Sequence, residues 1–187
     1  LRDQRRKLQM IFQDPYSSLN PRARVSRILT EGLIAFGTSK DAAHAKACEL
    51  LEMVGLDASA MKRFPHEFSG GQRQRIGIAR ALALDPSIII ADEAVSALDV
   101  SIQAQVLDLL AELKTRLNLS MLFITHDLRV AARICDRIIV MQKGQIVEAG
   151  PVSKVLHDPD SAYTRSLLDA IPGQEYERAL ALAEAEV

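Results

Sequence analysis

The sequence predicts an α/β fold in which a mostly parallel sheet carries an inserted α-helical subdomain. After residue 85, short apolar runs alternate with helix-length amphipathic stretches, which is typical of parallel strands joined by helices. Between residues 16 and 84, the apolar residues recur at helical spacing instead. The 187 residues are 48% hydrophobic and 25% charged, a balance that favours a globular chain with a buried core.

The first predicted elements are one strand and a series of helices. Residues 8–12 form a short apolar run that stops at residues 13–15, because proline disfavours a helical residue before it. We interpret this run as a buried strand. Residues 25–33 and 42–54 have the apolar spacing of two helices, and residues 73–84 have that of a third.

The order strand, helix, strand follows in the second half of the chain. The predicted elements are a strand at 87–91, a helix at 106–117, a strand at 120–125, a helix at 127–134, a strand at 137–141, a turn at 142–145 and an extended stretch at 146–149. Gly150 and Pro151 mark a boundary before two helical pieces and an acidic tail that begins at Gln174 and is expected to fray. We therefore predict a core of residues 1–15 and 86–150, a helical subdomain of residues 16–85 and an extension of residues 151–187.

Charge, hydropathy and cysteine content exclude several classes of protein. The 23 basic and 24 acidic residues give a net charge of -1, so no overall positive field gathers nucleic acid. The longest apolar runs are far shorter than the roughly 20 residues that cross a bilayer, and no signal peptide opens the sequence. Cys48 and Cys135 lack metal-ligand spacing and a second pair. We predict that both are reduced packing residues in a cytoplasmic protein.

The segment Ser69, Gly70, Gly71 and Gln72 leads directly into a predicted helix and has two interpretations. Ser69 and Gln72 have the spacing of a capping box, which is a purely structural device. Each glycine in a first helical turn costs on the order of 1 kcal/mol against alanine, so a close backbone approach would explain both. An anion bound to the free amides of the helix N-terminus would be such an approach.

Polar side chains follow the predicted parallel strands at their carboxyl ends, which is where open α/β sheets bind ligands. The carboxylate of Asp92 is a suitable ligand for Mg²⁺, and the carboxylate of Glu93 is suited to polarising a water molecule. His126 follows the next strand at the same edge, and Gln13 closes the first strand with an amide. Each of these residues also has a purely structural interpretation, such as an acidic residue in a loop or a histidine hydrogen-bonded to the backbone. Asp99 would serve equally well as a helix N-cap.

The order and spacing of these motifs resemble the ATP-binding-cassette ATPases from the glutamine loop onward. The matches are the glutamine loop at Gln13, the signature motif at Ser69, Gly70, Gly71 and Gln72, the Walker B strand at 88–92, the catalytic glutamate at Glu93, the D-loop at 96–99 and the switch histidine at His126. Residues 14–21 and 163–168 further resemble the oligopeptide/dipeptide importer branch of this family.

The resemblance implies a P-loop NTPase-like (RecA-like) fold, ATP and Mg²⁺ as ligands, and hydrolysis at the interface of two ATPase subunits or halves. It gives catalytic roles to Glu93, His126 and Gln13, and metal contacts to Asp92 and Gln13. It gives nucleotide contacts to Ser69, Gly70, Gly71, Gln72 and Asp99. The implied partners are a membrane permease and, indirectly, an external solute-binding protein, with no nucleic acid. The implied location is peripheral, at the cytoplasmic face of the inner membrane.

The sequence departs from the family pattern in several places. Phe68 stands where leucine is usual, Ala94 and Val95 replace Pro-Thr, and residues 161–162 replace His-Pro. No G-x-x-x-x-G-K-[ST] occurs, and no aromatic adenine platform precedes Gln13. Because those elements come before the glutamine loop in this family, we expect that Leu1 marks an N-terminal truncation and that the fragment alone is inactive.

Two other functions stay open at this stage. One is a non-catalytic remnant that keeps the fold, which the lack of a P-loop favours. The other is an ATPase of DNA maintenance or translation, which a coiled-coil insertion before Ser69 or a basic groove would favour, and the sequence contains neither. The transported solute, and whether the dimer is homotypic, heterotypic or made of fused halves, also stay open.

Overall fold

The computed structural model describes residues 2–171, which form two compact units that divide between Ile124 and Thr125. The predicted tail from Gln174 lies outside the described residues. The three-part division of the chain predicted from the sequence stays a prediction.

The first unit contains a parallel sheet of three strands in the order β1-β2-β3. The strands are β1 (Leu8–Ile11), β2 (Ile88–Asp92) and β3 (Ser120–Ile124). Leu8 pairs with Ile88, which pairs in turn with Ser120, so the three strands start level and their carboxyl ends meet at one edge. The predicted parallel sheet is therefore confirmed, and the residues that follow its strands lie side by side.

One face of this sheet is exposed, which corrects the prediction of a buried first strand. Ile11, Ile89 and Ala91 are buried on the covered face. On the other face Leu8 is 45% exposed and Leu122 is 52% exposed. The apolar runs predicted burial on both faces, but among the described residues only one face is covered.

Helices make up the rest of the first unit. They are α1 (Arg2–Lys7), α2 (Pro15–Ser18), α3 (Val25–Ala35), α4 (Lys40–Met53), α5 (Gly70–Leu82) and α6 (Val100–Arg116), with two short 3-10 turns at Ala58–Lys62 and Pro65–Glu67. Their starts have local causes, since Asp14 caps α2, Ser39 caps α4 and Ser69 caps α5 through side-chain oxygens. The sequence did not predict α1 or α2.

Helices α3, α4 and α5 pack together as a helical bundle. Its buried side chains include Leu29, Leu50, Leu51 and Ile76, each at most 1% exposed. Gly55 ends α4 with a φ of +73°, a conformation that glycine adopts without strain. This bundle holds α5, and with it the Ser69 segment, against the sheet.

The second unit is built on an antiparallel hairpin rather than on a further parallel strand. It consists of α7 (Leu128–Ile134), β4 (Arg137–Gln142), β5 (Gln145–Pro151), α8 (Val152–His157) and α9 (Ala162–Asp169). Lys143 and Gly144 form the two-residue turn with φ of +50° and +78°, as favoured hairpin turns require. Ile138, Val140 and Val155 lie in the core of this unit.

Two further sequence features can be located. Neither cysteine forms a disulfide: Cys48 lies in α4 and Cys135 directly after α7, and both are partly buried. Within residues 2–171, no helix has the length and apolar content needed to cross a membrane.

Candidate functional site

Gln13 and Glu93 meet at the carboxyl edge of the parallel sheet. Gln13 lies just beyond β1 and Glu93 directly follows the neighbouring strand β2, so the strand pairing brings them together. The Gln13 Nε2 donates a hydrogen bond to Glu93 Oε2 over 2.6 Å. The contact orients the carboxylate and leaves the amide oxygen of Gln13 for another ligand.

The backbone of Glu93 is held in an uncommon conformation. Its φ is +44°, in the left-handed region that non-glycine residues rarely adopt. The Glu93 amide donates to the Ile124 carbonyl over 2.9 Å. Its own carbonyl accepts from the Ser96 amide over 3.1 Å and from the Ser96 hydroxyl over 3.0 Å. Strain of this kind persists only where surrounding contacts fix it, and it concentrates at functional sites.

Asp92 is the last residue of β2, beside Ile124 of β3, and is half-buried. The described residues contain no group of three or more His, Cys, Asp or Glu side chains that could enclose a metal ion. Mg²⁺ at nucleotide sites uses one or two carboxylates and fills its other positions with water and phosphate oxygens. The carboxylate of Asp92 and the amide oxygen of Gln13 are donors that fit this mode.

The Ser69 segment forms a complete capping box at the start of α5. The Gln72 amide donates to Ser69 Oγ over 3.3 Å, and the Ser69 amide donates to Gln72 Oε1 over 3.1 Å. The capping interpretation is thereby confirmed. A serine hydroxyl that accepts one hydrogen bond still has a proton to donate, so capping does not exclude contact with an anion.

The two glycines of this segment have different surroundings. A Cβ on Gly71 would lie 2.5 Å from Cγ2 of Ile102 in α6, a distance that no real side chain tolerates. A Cβ on Gly70 would lie 3.6 Å from Cδ2 of Leu98, which is ordinary contact. Close packing on α6 therefore accounts for Gly71 without any ligand, whereas packing does not require glycine at position 70.

We expect Gly71→Ala to destabilise the protein by about 1–3 kcal/mol, because the new methyl overlaps a β-branched side chain with little freedom in a helix. Gly70→Ala is the matched control and should unfold at the same urea concentration as the parent or a higher one. Urea unfolding followed by circular dichroism measures both. Equal midpoints for the two variants would contradict this packing account.

Asp99 and His126 are the other two predicted site residues. Asp99 occupies the N-cap position of α6, as the capping alternative predicted, although its side chain makes no capping hydrogen bond. His126 is exposed and follows Thr125 at the start of the second unit. Beside it, burial raises the pKa of Asp127, but the hydrogen bonds and the charge of Arg129 lower that pKa by more, to below its ordinary value. The approach of His126 to Glu93 stays a prediction.

Two arginines of α5 that were not predicted from the sequence contact the segment after Gln13. The guanidinium of Arg73 lies 3.6 Å from the ring centroid of Tyr16, and Arg80 donates to the Ser18 carbonyl. Their spacing of seven residues on one helix was the available signal, since it places both on the same face. Without the fold, nothing indicated what that face contacts.

Comparison with known proteins gives concordant similarities. A family model described as ABC transporter matches residues 1–96. An oligopeptide transport ATP-binding protein of Bacillus subtilis is 55% identical over 177 residues, which cover 92% of this chain and 58% of that protein. A putative peptide import ATP-binding protein of Brucella abortus is 52% identical over 169 residues, which cover 90% of this chain and 51% of that protein.

Among solved structures, a dimeric ATP-binding cassette in a post-hydrolysis state, bound to ADP and Pi, resembles this chain with a TM-score of 0.68 and 32% identity. The match covers 79% of this chain and 64% of that chain. This chain spans about half the length of the curated relatives it matches.

Proposed function

The chain belongs to the ABC transporter ATPase family, and from this premise we propose that it is part of the ATP-hydrolysing subunit of a bacterial importer for peptides or similar small solutes. The predicted P-loop NTPase-like fold class is confirmed by the likeness to a solved ATP-binding cassette. The observation that carries the proposal is the hydrogen bond between Gln13 and Glu93 at the carboxyl edge of the parallel sheet. The names of the relatives support peptides as the solute class.

Glu93 has the properties of the group that orients the attacking water. Its carboxylate is fixed by Gln13 on one side and by a constrained backbone on the other. An ionised carboxylate accepts hydrogen bonds from water and increases the nucleophilic character of its oxygen. In phosphoryl transfer most of the rate comes from positioning and charge stabilisation, which a preorganised carboxylate provides.

Asp92 and the Gln13 amide oxygen are proposed to hold Mg²⁺ together with the nucleotide. The metal ion supplies neutralisation of charge on the phosphates. His126 is proposed to donate to a terminal phosphate oxygen from the end of β3, and Asp99 to contact the nucleotide of the dimer from the start of α6. These four roles follow the family motifs that the residues match.

The capped N-terminus of α5 is proposed to bind the terminal phosphate held by a second ATPase subunit. The amides of Gly70 and Gly71 point out of the helix start, and the macrodipole favours an anion there. The exposed Ser69 hydroxyl adds a donor. The dimeric state of the solved relative supports a paired arrangement of this kind.

A groove in the first unit is the proposed docking surface for a cytoplasmic helix of the permease. It lies between β1 and α3, with α5 at its side, and its apolar lining includes Leu8, Phe12 and Ile28. Among its lining residues, Phe12 is 46% exposed, an unusual degree for an aromatic side chain. Docking here would bring the protein to the cytoplasmic face of the inner membrane as a peripheral subunit.

Cysteine cross-linking tests this assignment. Cysteine introduced at Phe12 or Glu31, two exposed residues that line the groove, is expected to cross-link to a cytoplasmic loop of the permease in the assembled transporter, with a yield that changes on nucleotide addition. Ile146→Cys on β5 is the control, since Ile146 is 63% exposed but does not line the groove, and it should not cross-link. Equal yields at all three positions, or none in any nucleotide state, would contradict the importer assignment.

A further inference from the structure

Residues 12–18, which we call the strap, are held against α5 by two arginines. The guanidinium carbon of Arg73 lies 3.6 Å from the centre of the Tyr16 ring, which is the shortest such distance in the described part of the chain. Two helical turns further on, Arg80 donates to the Ser18 carbonyl, and its guanidinium lies 5.8 Å from the Phe12 ring. The strap is thus attached to α5 along its length.

Arg73 is more than a surface anchor for the strap. Its side chain is only 7% exposed, and its Nη1 is buried without a hydrogen-bond partner. The face of the Tyr16 ring is therefore a principal source of stabilisation for this buried charge. Without the ring, the buried guanidinium would lose this stabilisation, and we expect Arg73 to move in response.

The same side chain also contacts the segment before Ser69. The Arg73 Nε donates to the Phe68 carbonyl over 2.8 Å, and Phe68 is 4% exposed and directly precedes Ser69. The planar guanidinium forms both contacts at once, which a lysine could not do. A displacement of Arg73 would therefore displace the peptide group that leads into the capping box.

The other end of the strap touches the proposed catalytic carboxylate. Gln13 donates to Glu93, and two residues of chain separate it from Tyr16. That short connection is braced, because the Asp14 side chain accepts from the Tyr16 amide over 2.7 Å. Contacts therefore run without interruption from Glu93 through Gln13, Tyr16 and Arg73 to Phe68.

We propose that Arg73 is a positioning residue that couples the strap to Ser69, so that displacement of Gln13 at the Glu93 site changes the geometry of the α5 N-terminus in the same subunit. The use of this coupling in an ATPase cycle rests on the proposed function. The coupling itself is a property of the nucleotide-free chain and can be measured there.

Amide hydrogen exchange in the nucleotide-free chain tests the coupling at Gln72 and Arg73, whose amides are bonded to Ser69. Tyr16→Leu is expected to speed their exchange about fivefold, which corresponds to the free energy of one cation–π contact. Tyr16→Phe keeps the ring and should exchange like the parent. Phe36→Leu is the matched control, because it removes the ring that Arg2 contacts at 5.2 Å and should leave both amides unchanged.

A double-mutant cycle separates coupling from loss of packing. Gln13→Ala is expected to change the exchange of the Gln72 and Arg73 amides when Tyr16 is present, and to have no further effect in the Tyr16→Leu background. Where Tyr16→Leu does not fold, Arg73→Lys takes its place with the same expectation.

Several outcomes would overturn the proposal. They are additive effects of Gln13→Ala and Tyr16→Leu, unchanged exchange in Tyr16→Leu, equal acceleration of amides throughout the chain, and a Tyr16→Phe variant that behaves like Tyr16→Leu. Failure of the proposed ATPase function would be seen as a lack of ATP hydrolysis in a protein that joins this chain to a P-loop segment. It would leave these exchange results unaffected.

Discussion

Glu93→Gln is expected to abolish ATP turnover and to leave nucleotide binding intact, in a chain completed with a P-loop segment. The amide keeps the shape of the side chain, and its oxygen can still accept from Gln13 Nε2. It loses the negative charge that orients and polarises water, so we expect the rate to fall by at least about 10²-fold. Steady-state hydrolysis and equilibrium binding of Mg-ATP measure the two effects separately.

Glu112→Gln is the matched control for the loss of one carboxylate. Glu112 lies on α6 at 3.8 Å from Arg116, and both side chains are largely exposed. Its substitution should leave turnover within about twofold of the parent, because exposed ion pairs contribute little. Near-parental hydrolysis by Glu93→Gln would remove Glu93 from the catalytic role, and equal loss in both variants would indicate a general charge effect.

The elements that the sequence predicted well are those with local causes. Pro15 stops β1, Ser69 and Gln72 close their capping box, and Lys143 with Gly144 makes the hairpin turn. Each of these signals lies within a few residues of the structure it produces, so no knowledge of the fold is needed to interpret it. The meeting of Gln13 and Glu93 was also predictable, because carboxyl ends of parallel strands share one edge.

Side-chain packing between helices that are distant in the sequence was not predictable. A bound anion was one explanation for Gly71, whereas the structure shows the side chain of Ile102 in the space that a Cβ would take. Tyr16 and Arg73 are each unremarkable in the sequence, and only the packing of α2 on α5 brings them together. The exposure of Leu8 likewise depends on what covers the sheet, which an apolar run alone cannot indicate.

A completed protein carrying Ser69→Arg is expected to lose turnover in its dimers and to recover part of it when mixed with a P-loop variant. Ser69 is exposed, so the larger side chain fits outside the fold and costs the chain only its cap, about 1 kcal/mol. Its bulk blocks the space in front of the amides of Gly70 and Gly71. If those amides serve the nucleotide of the other subunit, both sites of a Ser69→Arg homodimer are blocked.

The mixing result follows from where each substitution acts. In a heterodimer with a P-loop variant, one site combines the intact P-loop of the first subunit with the intact Ser69 of the second, and the other site carries both defects. Random pairing then gives about a quarter of parental turnover, because half of the dimers have one of two sites working. Ser59→Arg, at an exposed serine outside the motif, is the control and should retain activity alone. No recovery on mixing, with heterodimers shown to form, would mean that Ser69 acts on the nucleotide of its own subunit.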